Sequence, residues 1–169
     1  VAQACQKLEV AISYENGAQQ VWLNGENVTG ELRTEAVGNM ASKSSAKQPV
    51  RDKLLQLQRD MAVRQNVVMD GRDIGTNVLP DAEVKIFLTA SSAERARRRY
   101  EELVEKGETC DIHQIEADII KRDEQDMNRA IAPLKQAEDA YYLDSSELTI
   151  DEVVDCILKQ CKEKRIWKS

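Results

Sequence analysis

The first part of the chain changes from a two-residue periodicity to a helical one. Apolar and polar positions alternate over residues 8–14, Asn16-Gly17 follows, and residues 20–23 run into a second Asn-Gly pair at Asn24-Gly25. Two such segments separated by an Asn-Gly pair are typical of a β-hairpin. Over residues 34–61 the apolar positions recur at helical spacing, and Pro49 is expected to interrupt the helix. This part is therefore predicted to form a small α+β lobe.

From residue 66 onward, short continuous apolar runs replace the alternating pattern. The runs over residues 66–70, 84–90 and 141–144 are predicted to be strands. Ser91-Ser92-Ala93-Glu94 and Thr149-Ile150-Asp151-Glu152 have the sequence of capping boxes, which begin helices. Strands that alternate with helices predict an α/β domain with a mainly parallel sheet.

Composition narrows the class of protein. A length of 169 residues suits one domain, or one domain with a small lobe. The 24 Lys and Arg against 30 Asp and Glu give a net charge of −6, which argues against a general nucleic-acid or membrane-surface binder. The four cysteines form no CxxC pair and there is a single histidine, so we expect reduced thiols and no zinc site. No apolar run approaches the roughly 20 residues of a membrane helix, and we expect a cytoplasmic protein.

The first candidate for chemistry is the loop Asp70-Gly71-Arg72-Asp73, which follows the predicted strand over residues 66–70. Ligands of open parallel sheets bind beyond the carboxyl ends of the strands. The planar guanidinium of Arg72 could hold a phosphate, and the carboxylates could accept from amino groups or order a hydrated magnesium ion. The alternative is a turn with a surface ion pair.

A second candidate is a dense group of arginines on the helix after the strand over residues 84–90. In an acidic protein these side chains could hold polyphosphate charge, and Gly107 would permit a mobile flap. The competing interpretation is a solvated helix face whose arginines pair with neighbouring glutamates. The group consists of Arg95, Arg97, Arg98 and Arg99.

The third candidate lies on a helix predicted to be capped by Asp111. Spacings of four and three are expected to place Arg122, Asp126 and Arg129 on one face. Two guanidinium groups beside a carboxylate could bind a phosphate and a sugar hydroxyl together. An intrahelical salt-bridge ladder is the alternative.

These motifs together resemble bacterial cytidylate kinases. The resemblance is carried by Val68-Met69-Asp70-Gly71-Arg72-Asp73-Ile74-Gly75-Thr76 with residues 79–90, and by Arg122-Asp123, Asp126, Asn128-Arg129 and Ala132-Pro133-Leu134. Residues 23–34 are similar to the nucleotide-binding lobe inserted in that family. The resemblance covers essentially the whole chain.

The resemblance implies both a fold and a reaction. The fold is a P-loop nucleoside-monophosphate-kinase-like parallel sheet with flanking helices. Residues 1–65 would be the inserted CMP-binding lobe, residues 66–169 the remainder of the kinase core, and residues of about 91–129 the lid. The reaction is transfer of the γ-phosphoryl group of ATP to CMP or dCMP with the help of Mg²⁺.

The resemblance also assigns roles to individual residues. The base would be contacted by Ser42, Arg51 and Asp73, the sugar by Arg122 and Asp126, and the monophosphate by Arg72 and Arg129. The catalytic arginines would be Arg72, Arg122 and Arg129, with Arg95, Arg97, Arg98 and Arg99 on the lid at the ATP phosphates. No protein residue is assigned as a metal ligand.

The chain departs from the family pattern at two places. Gln125 stands where the family often has an arginine, and no segment has the phosphate-binding sequence G-x-x-x-x-G-K followed by Ser or Thr. We therefore expect that the P-loop and the central first strand are absent from these residues, with little turnover as a consequence. The alternative is a non-catalytic CMP-binding fragment or regulatory module. Family members are often monomeric, but a missing central strand could favour association with another chain.

Overall fold

The computed structural model describes residues 2–32, 34–45 and 47–164. It divides into two compact units, with the boundary between Val67 and Val68. The two units are described separately below.

The first unit is a three-stranded antiparallel sheet with three helices. Its elements are α1 (Ala2–Lys7), β1 (Val10–Glu15), β2 (Ala18–Leu23), β3 (Glu26–Asn27), a 3₁₀ turn (Thr29–Glu31), α2 (Glu35–Ser45) and α3 (Gln48–Arg64), with strand order β1-β2-β3. The predicted hairpin is confirmed, because β1 pairs with β2 across the two-residue turn Asn16-Gly17. Both turn residues have positive φ, 52° and 77°, which is the backbone that an Asn-Gly turn favours.

Pro49 starts a helix instead of interrupting one. It lies in the first turn of α3, and the break between α2 and α3 falls just before it. The first amides of a helix have no partner within the helix, so the missing N–H of proline costs nothing there. The prediction of two helical segments in this region is correct, whereas the position of the interruption was wrong.

The second unit places helices around a pair of parallel strands. Its elements are a π-helical turn (Ile74–Val78), β4 (Ile86–Thr89), α4 (Ser92–Glu105), α5 (Ile112–Asn128), β5 (Tyr141–Asp144) and α6 (Ile150–Glu163). β4 runs parallel to β5, with Ile86 opposite Tyr141 and Thr89 opposite Asp144. The predicted α/β class with parallel pairing is confirmed for these two strands.

The strand predicted over residues 66–70 is wrong. The structure has no strand there, and the side chain of Val68 is fully exposed. A β-strand needs the backbone groups of a neighbour, and none of the backbone hydrogen bonds among the described residues reaches this segment. An apolar run favours burial, but it does not by itself supply a pairing partner.

The two predicted capping boxes differ in the structure. The Thr149 hydroxyl accepts from the Glu152 amide and the Glu152 carboxylate accepts from the Thr149 amide, so this capping box is complete. The Ser91 hydroxyl accepts from the Glu94 amide at 3.2 Å, but the Ser91 amide donates to Ser146 Oγ instead of Glu94. The capping box at Ser91 was therefore predicted only half correctly, because the Glu94 carboxylate is held by arginines of α4.

Burial is sparse among the described residues. The buried apolar side chains there are those of Cys5, Val78, Ala90, Ala96 and Leu143. Ala96 is completely buried on α4, which packs against α5. In the part of the chain that the structure describes, no helix has the length and apolarity required to cross a membrane.

Candidate functional site

The loop before the π-helical turn presents Arg72 and Asp73. The amides of Asn77 and Val78 both donate to the Asp73 carbonyl, at 2.9 and 3.2 Å, which widens the turn that follows. Gly71 leaves room for Ile74, because a Cβ atom at this position would lie 2.9 Å from Cγ1 of Ile74 and the isoleucine side chain would have to shift. The glycine therefore lets the Ile74 side chain lie against the backbone just ahead of Arg72.

Asp126 near the end of α5 joins two arginines that are distant in sequence. Its residue exposure is 5%, and its Oδ2 lies 3.1 Å from Arg72 Nε. Its Oδ1 lies 3.7 Å from Arg129 Nη1. A buried carboxylate is costly unless it is paired, so Asp126 fixes the loop of Arg72 against the end of α5.

Arg129 is oriented by the backbone as well as by carboxylates. Its Nε donates to the Ala132 carbonyl at 2.6 Å, and its Nη2 lies 3.5 Å from Asp73 Oδ1. The side chain is 15% exposed, and Nη2 makes no hydrogen bond within the described residues. The guanidinium is thus anchored through Nε, while Nη1 and Nη2 face carboxylates at ion-pair distance.

The carbonyl that holds Arg129 belongs to a strained residue. Ala132 has a φ of 46°, in the left-handed region that costs a non-glycine residue about 1 kcal/mol or more. Strain of this kind persists where the surrounding contacts determine the conformation, and here the Arg129 contact is one of them. The strained loop therefore contributes to the orientation of the guanidinium.

The carboxylate of Asp73 is held at both oxygens. Oδ1 faces Arg129, and Oδ2 accepts from Asn77 Nδ2 at 3.1 Å. Asn77 was not among the residues selected from the sequence. Its only sequence signal is a spacing of four residues from Asp73 in a glycine-containing loop, which becomes meaningful once the π-helical turn is known.

The predicted face of Arg122, Asp126 and Arg129 is formed only in part. Asp126 and Arg129 come together, but Arg122 is exposed on α5 and makes no ion pair with described residues. Arg129 follows the last residue of α5 with a ψ of 142°, so helical spacing does not govern its position. Arg72, from another part of the chain, takes the second place beside Asp126.

Three arginines of α4 form a ladder with glutamates of the same helix, and Arg98 lies 2.7 Å from Glu94. Arg97 lies 2.7 Å from Glu94 and 2.6 Å from Glu101, and Arg99 lies 2.7 Å from Glu102. The hydrogen bond from Arg97 is the main reason why the pKa of Glu94 falls to about 2. The hydrogen bond from Lys106 has the same effect on Glu102, whose pKa is also about 2.

Arg95 and Arg98 of α4 also connect different elements. Arg95 donates to the Ala90 carbonyl and lies 2.6 Å from Asp123 of α5. Arg98 donates to the Ser145 carbonyl at 2.6 Å, at the end of β5. These contacts tie the start of α4 to both α5 and the sheet, so the four arginines are not one equivalent cluster.

The connection between α4 and α5 has the features of a turn. Gly107 has a φ of 76°, and the Asp111 carboxylate caps α5 by accepting from the amides of His113 and Gln114. These hydrogen bonds, with that from Gln114 first, lower the pKa of Asp111. The cap predicted for Asp111 is confirmed.

Two residues predicted to contact the base lie on the first unit. Arg51 is half-buried on α3, and Ser42 lies on α2 with its side chain outside what the structure describes. Asp73, the third predicted base contact, lies on the second unit. The base contacts of all three residues remain predictions.

The sequence matches a protein-family model described as "Cytidylate kinase" over residues 2–163. The chain belongs to the cytidylate kinase family. It is 48% identical over 164 residues to a cytidylate kinase of Geobacter sp. (strain M21), a match that covers 97% of this chain and 70% of the relative. It is 49% identical over 156 residues to the cytidylate kinase of Thermosipho melanesiensis, covering 92% and 71%. The resemblance inferred from the motifs is therefore confirmed.

Cytidylate kinases are phosphotransferases, so the chain belongs to a phosphotransferase family. Kinases of this type act on anionic nucleotides, so oriented guanidinium groups are the side chains to expect at their phosphates. The site around Arg129 has this character, and it lies within the matched residues.

Proposed function

We propose that this chain acts in the transfer of the γ-phosphoryl group of ATP to CMP or dCMP. The observation that carries the proposal is the guanidinium of Arg129, which is oriented by the Ala132 carbonyl and retains a buried donor without a hydrogen bond among the described residues. A preoriented arginine with such a donor suits a phosphate oxygen.

The monophosphate of CMP would be held by Arg72 and Arg129. Arg72 uses Nε for Asp126 and is 45% exposed, and its two terminal nitrogens make no hydrogen bond with described residues. Those nitrogens are therefore placed to donate to a phosphate without giving up the contact with Asp126. Sharing one carboxylate keeps the two positive groups together before the nucleotide arrives.

The sugar would be bound from α5. Arg122 precedes Asp126 by one helical turn and is exposed to solvent. We propose that Arg122 and the remaining acceptor capacity of Asp126 contact the sugar hydroxyls. A carboxylate has about four lone-pair positions, so two arginine contacts do not exhaust it.

The base would be read by Asp73 of the second unit, while the base contacts of Ser42 and Arg51 stay what the resemblance implies. Cytosine carries an amino group where uracil carries a carbonyl oxygen, and a carboxylate can accept a hydrogen bond only from the amino group. UMP would therefore leave a carbonyl oxygen facing Asp73, and sites built to hydrogen-bond one group discriminate strongly against a substrate without it.

In the transfer itself, a phosphate oxygen of CMP attacks the γ-phosphorus of ATP. The bond from that phosphorus to the β,γ-bridging oxygen breaks and ADP leaves. Arg72 and Arg129 would orient the attacking phosphate and offset its charge, which is the main task of a protein in this reaction. Mg²⁺ supplies charge neutralisation on the ATP phosphates. Because the described residues bring together no group of three acidic, imidazole or thiol side chains, we propose that it enters with ATP.

The arginines of α4 are proposed to serve the lid over ATP. Arg97 and Arg99 are suited to exchange partners, because ion pairs exposed to solvent contribute little, typically below about 1 kcal/mol. Exchange of a glutamate for a phosphate would therefore cost little. Arg95 and Arg98 are proposed to serve the lid as well. Their hydrogen bonds to the Ala90 and Ser145 carbonyls hold the first turns of α4 in place.

Turnover by the 169 residues by themselves is proposed to be low. They contain no G-x-x-x-x-G-K followed by Ser or Thr, the loop whose amides and lysine hold ATP phosphates. We propose that the 169 residues still bind CMP although their turnover is low. The alternative is a CMP-binding module without catalysis.

Calorimetry with CMP, UMP and ATP, together with a coupled assay of ADP release, tests these proposals. Binding of CMP in preference to UMP would support the proposed nucleotide site, and loss of that binding in Arg129→Ala would support the phosphate role. Rapid CMP-dependent ADP release by the 169 residues would contradict the low turnover and also exclude the non-catalytic module. Failure to bind CMP would overturn the proposed function.

A further inference from the structure

We infer that Asn77 is a positioning residue that sets the preference for cytosine by fixing the carboxylate of Asp73. The inference rests on the proposed function, because it extends the assignment of Asp73 to the base. It adds a residue that does not contact the nucleotide and acts through Asp73.

The geometry places Asn77 against both the carboxylate and the backbone carbonyl of Asp73. Its Nδ2 donates to Asp73 Oδ2 at 3.1 Å, and its backbone amide donates to the Asp73 carbonyl at 2.9 Å. A carboxylate only accepts, so the amide group of Asn77 must present its nitrogen to Asp73. Two hydrogen bonds from one residue thereby fix both the backbone and the side chain of Asp73.

The opposite oxygen of Asp73 completes the arrangement. Oδ1 lies 3.5 Å from Arg129 Nη2, and the Asp73 side chain is 12% exposed. With Asn77 on one oxygen and Arg129 on the other, the plane of the carboxylate is defined from two sides. A defined plane directs the remaining lone pairs, which is what discrimination between an amino group and a carbonyl oxygen requires.

Without Asn77 the carboxylate would lose one of its hydrogen bonds and turn toward Arg129, because an arginine is the stronger partner. Phosphate binding would then be little changed, whereas the acceptor for the amino group would be lost for part of the time. The expected signature is a reduced preference for CMP over UMP, not a uniform loss of affinity.

The test compares two variants of nearly equal size in the 169-residue chain, Asn77→Leu and Asn77→Asp. Leucine removes the donor, and aspartate replaces it with a second carboxylate that repels Asp73. Calorimetry would give the affinities for CMP and UMP. We expect the ratio of these affinities to fall roughly 3- to 10-fold in each variant, as the loss of part of a charge-assisted hydrogen bond would cause. Circular dichroism would show that both variants are folded.

Thr76→Val is the matched control. The Thr76 hydroxyl donates to the Asp73 carbonyl at 3.5 Å in the same turn but does not touch the carboxylate. This variant should keep the ratio of affinities. If it lowered the ratio as much as Asn77→Leu does, a general loosening of the turn would explain the result and the inference would be overturned.

Asp73→Asn separates this inference from the proposed function. If Asp73→Asn abolishes the preference for CMP while both Asn77 variants keep it within twofold, the role of Asn77 is overturned and the proposed function stands. If Asp73→Asn leaves the preference unchanged, the assignment of Asp73 to the base fails, and the inference falls with it.

Discussion

The guanidinium of Arg129 lies 3.5 Å from the carboxylate of Asp73, although Arg129 follows helix α5 and Asp73 precedes the π-helical turn. In the proposed function these two residues serve opposite ends of CMP, the phosphate and the base. Their contact means that a single ion pair within the second unit positions both side chains before any nucleotide binds.

Replacement of Arg129 by lysine should weaken CMP binding roughly 10-fold or more. A lysine has one ammonium group, which cannot contact the Ala132 carbonyl, Asp73 and Asp126 in the way the forked guanidinium does. Calorimetry would measure the affinity, with Arg97→Lys on the exposed ladder of α4 as a control that should bind CMP normally. Equal affinity in Arg129→Lys and the unsubstituted chain would contradict the phosphate role.

The mutation Asp126→Ala should destabilise the second unit by about 2 kcal/mol or more. It leaves Arg129, which is 15% exposed, with one carboxylate fewer, and a buried charge that loses its partner is costly. Urea denaturation followed by circular dichroism would measure the free energy of unfolding. The reverse change, Arg72→Met, should cost less, because Arg72 is 45% exposed and its partner keeps Arg129. If Arg72→Met lowered the free energy of unfolding more than Asp126→Ala does, this order of the two variants would be contradicted.

The substitution Thr149→Ala should destabilise the second unit by about 1 kcal/mol. The hydroxyl of Thr149 accepts from the Glu152 amide and also donates to the Glu152 carboxylate, so alanine breaks the capping box at the start of α6. Thermal unfolding would detect the change, and Thr109→Ala, at an exposed threonine between α4 and α5, is the matched control. The prediction fails if Thr149→Ala unfolds at the same temperature as the unsubstituted chain.

The elements that the sequence predicts well are those whose signal is local. The hairpin around Asn16-Gly17, the cap at Asp111 and the complete capping box at Thr149 each depend on residues within a few positions of one another. Such short-range chemistry is visible in the sequence because the partners are neighbours in the chain.

The errors arise where a distant partner decides the outcome. The apolar run over residues 66–70 has no strand beside it among the described residues, and the amide of Ser91 donates to Ser146, 55 residues later in the chain, instead of to Glu94. The site shows the same limit. Arg72 and Arg129 were identified by residue type and resemblance, but the place of Arg72 beside Asp126 and the role of Asn77 depend on contacts that no spacing reveals.

The last prediction concerns acid stability and the pair formed by Lys85 and Asp139. The Lys85 side chain is 8% exposed, its ammonium group donates to both carboxylate oxygens of Asp139 and to the Pro80 carbonyl, and its stem lies 3.5 Å from where a Cβ of Gly75 would be. The hydrogen bond from Lys85 is the main cause that lowers the pKa of Asp139. The pair therefore joins the π-helical turn to the segment before β5.

Because the pKa of Asp139 is lower in the folded chain than in the unfolded one, its contribution to stability is complete above the ordinary carboxyl pKa of about 4 and is lost as the pH falls through the folded value. Asp139→Asn should therefore lower the urea midpoint at pH 7, and the difference from the unsubstituted chain should shrink as the pH falls below about 4. Urea denaturation at pH 7, 5 and 3 would measure it. Asp81→Asn, with no ion pair among the described residues, is the control. A difference that stays constant or widens toward pH 3 would contradict the pairing, since a protonated Asp139 cannot retain the charge that Lys85 stabilises.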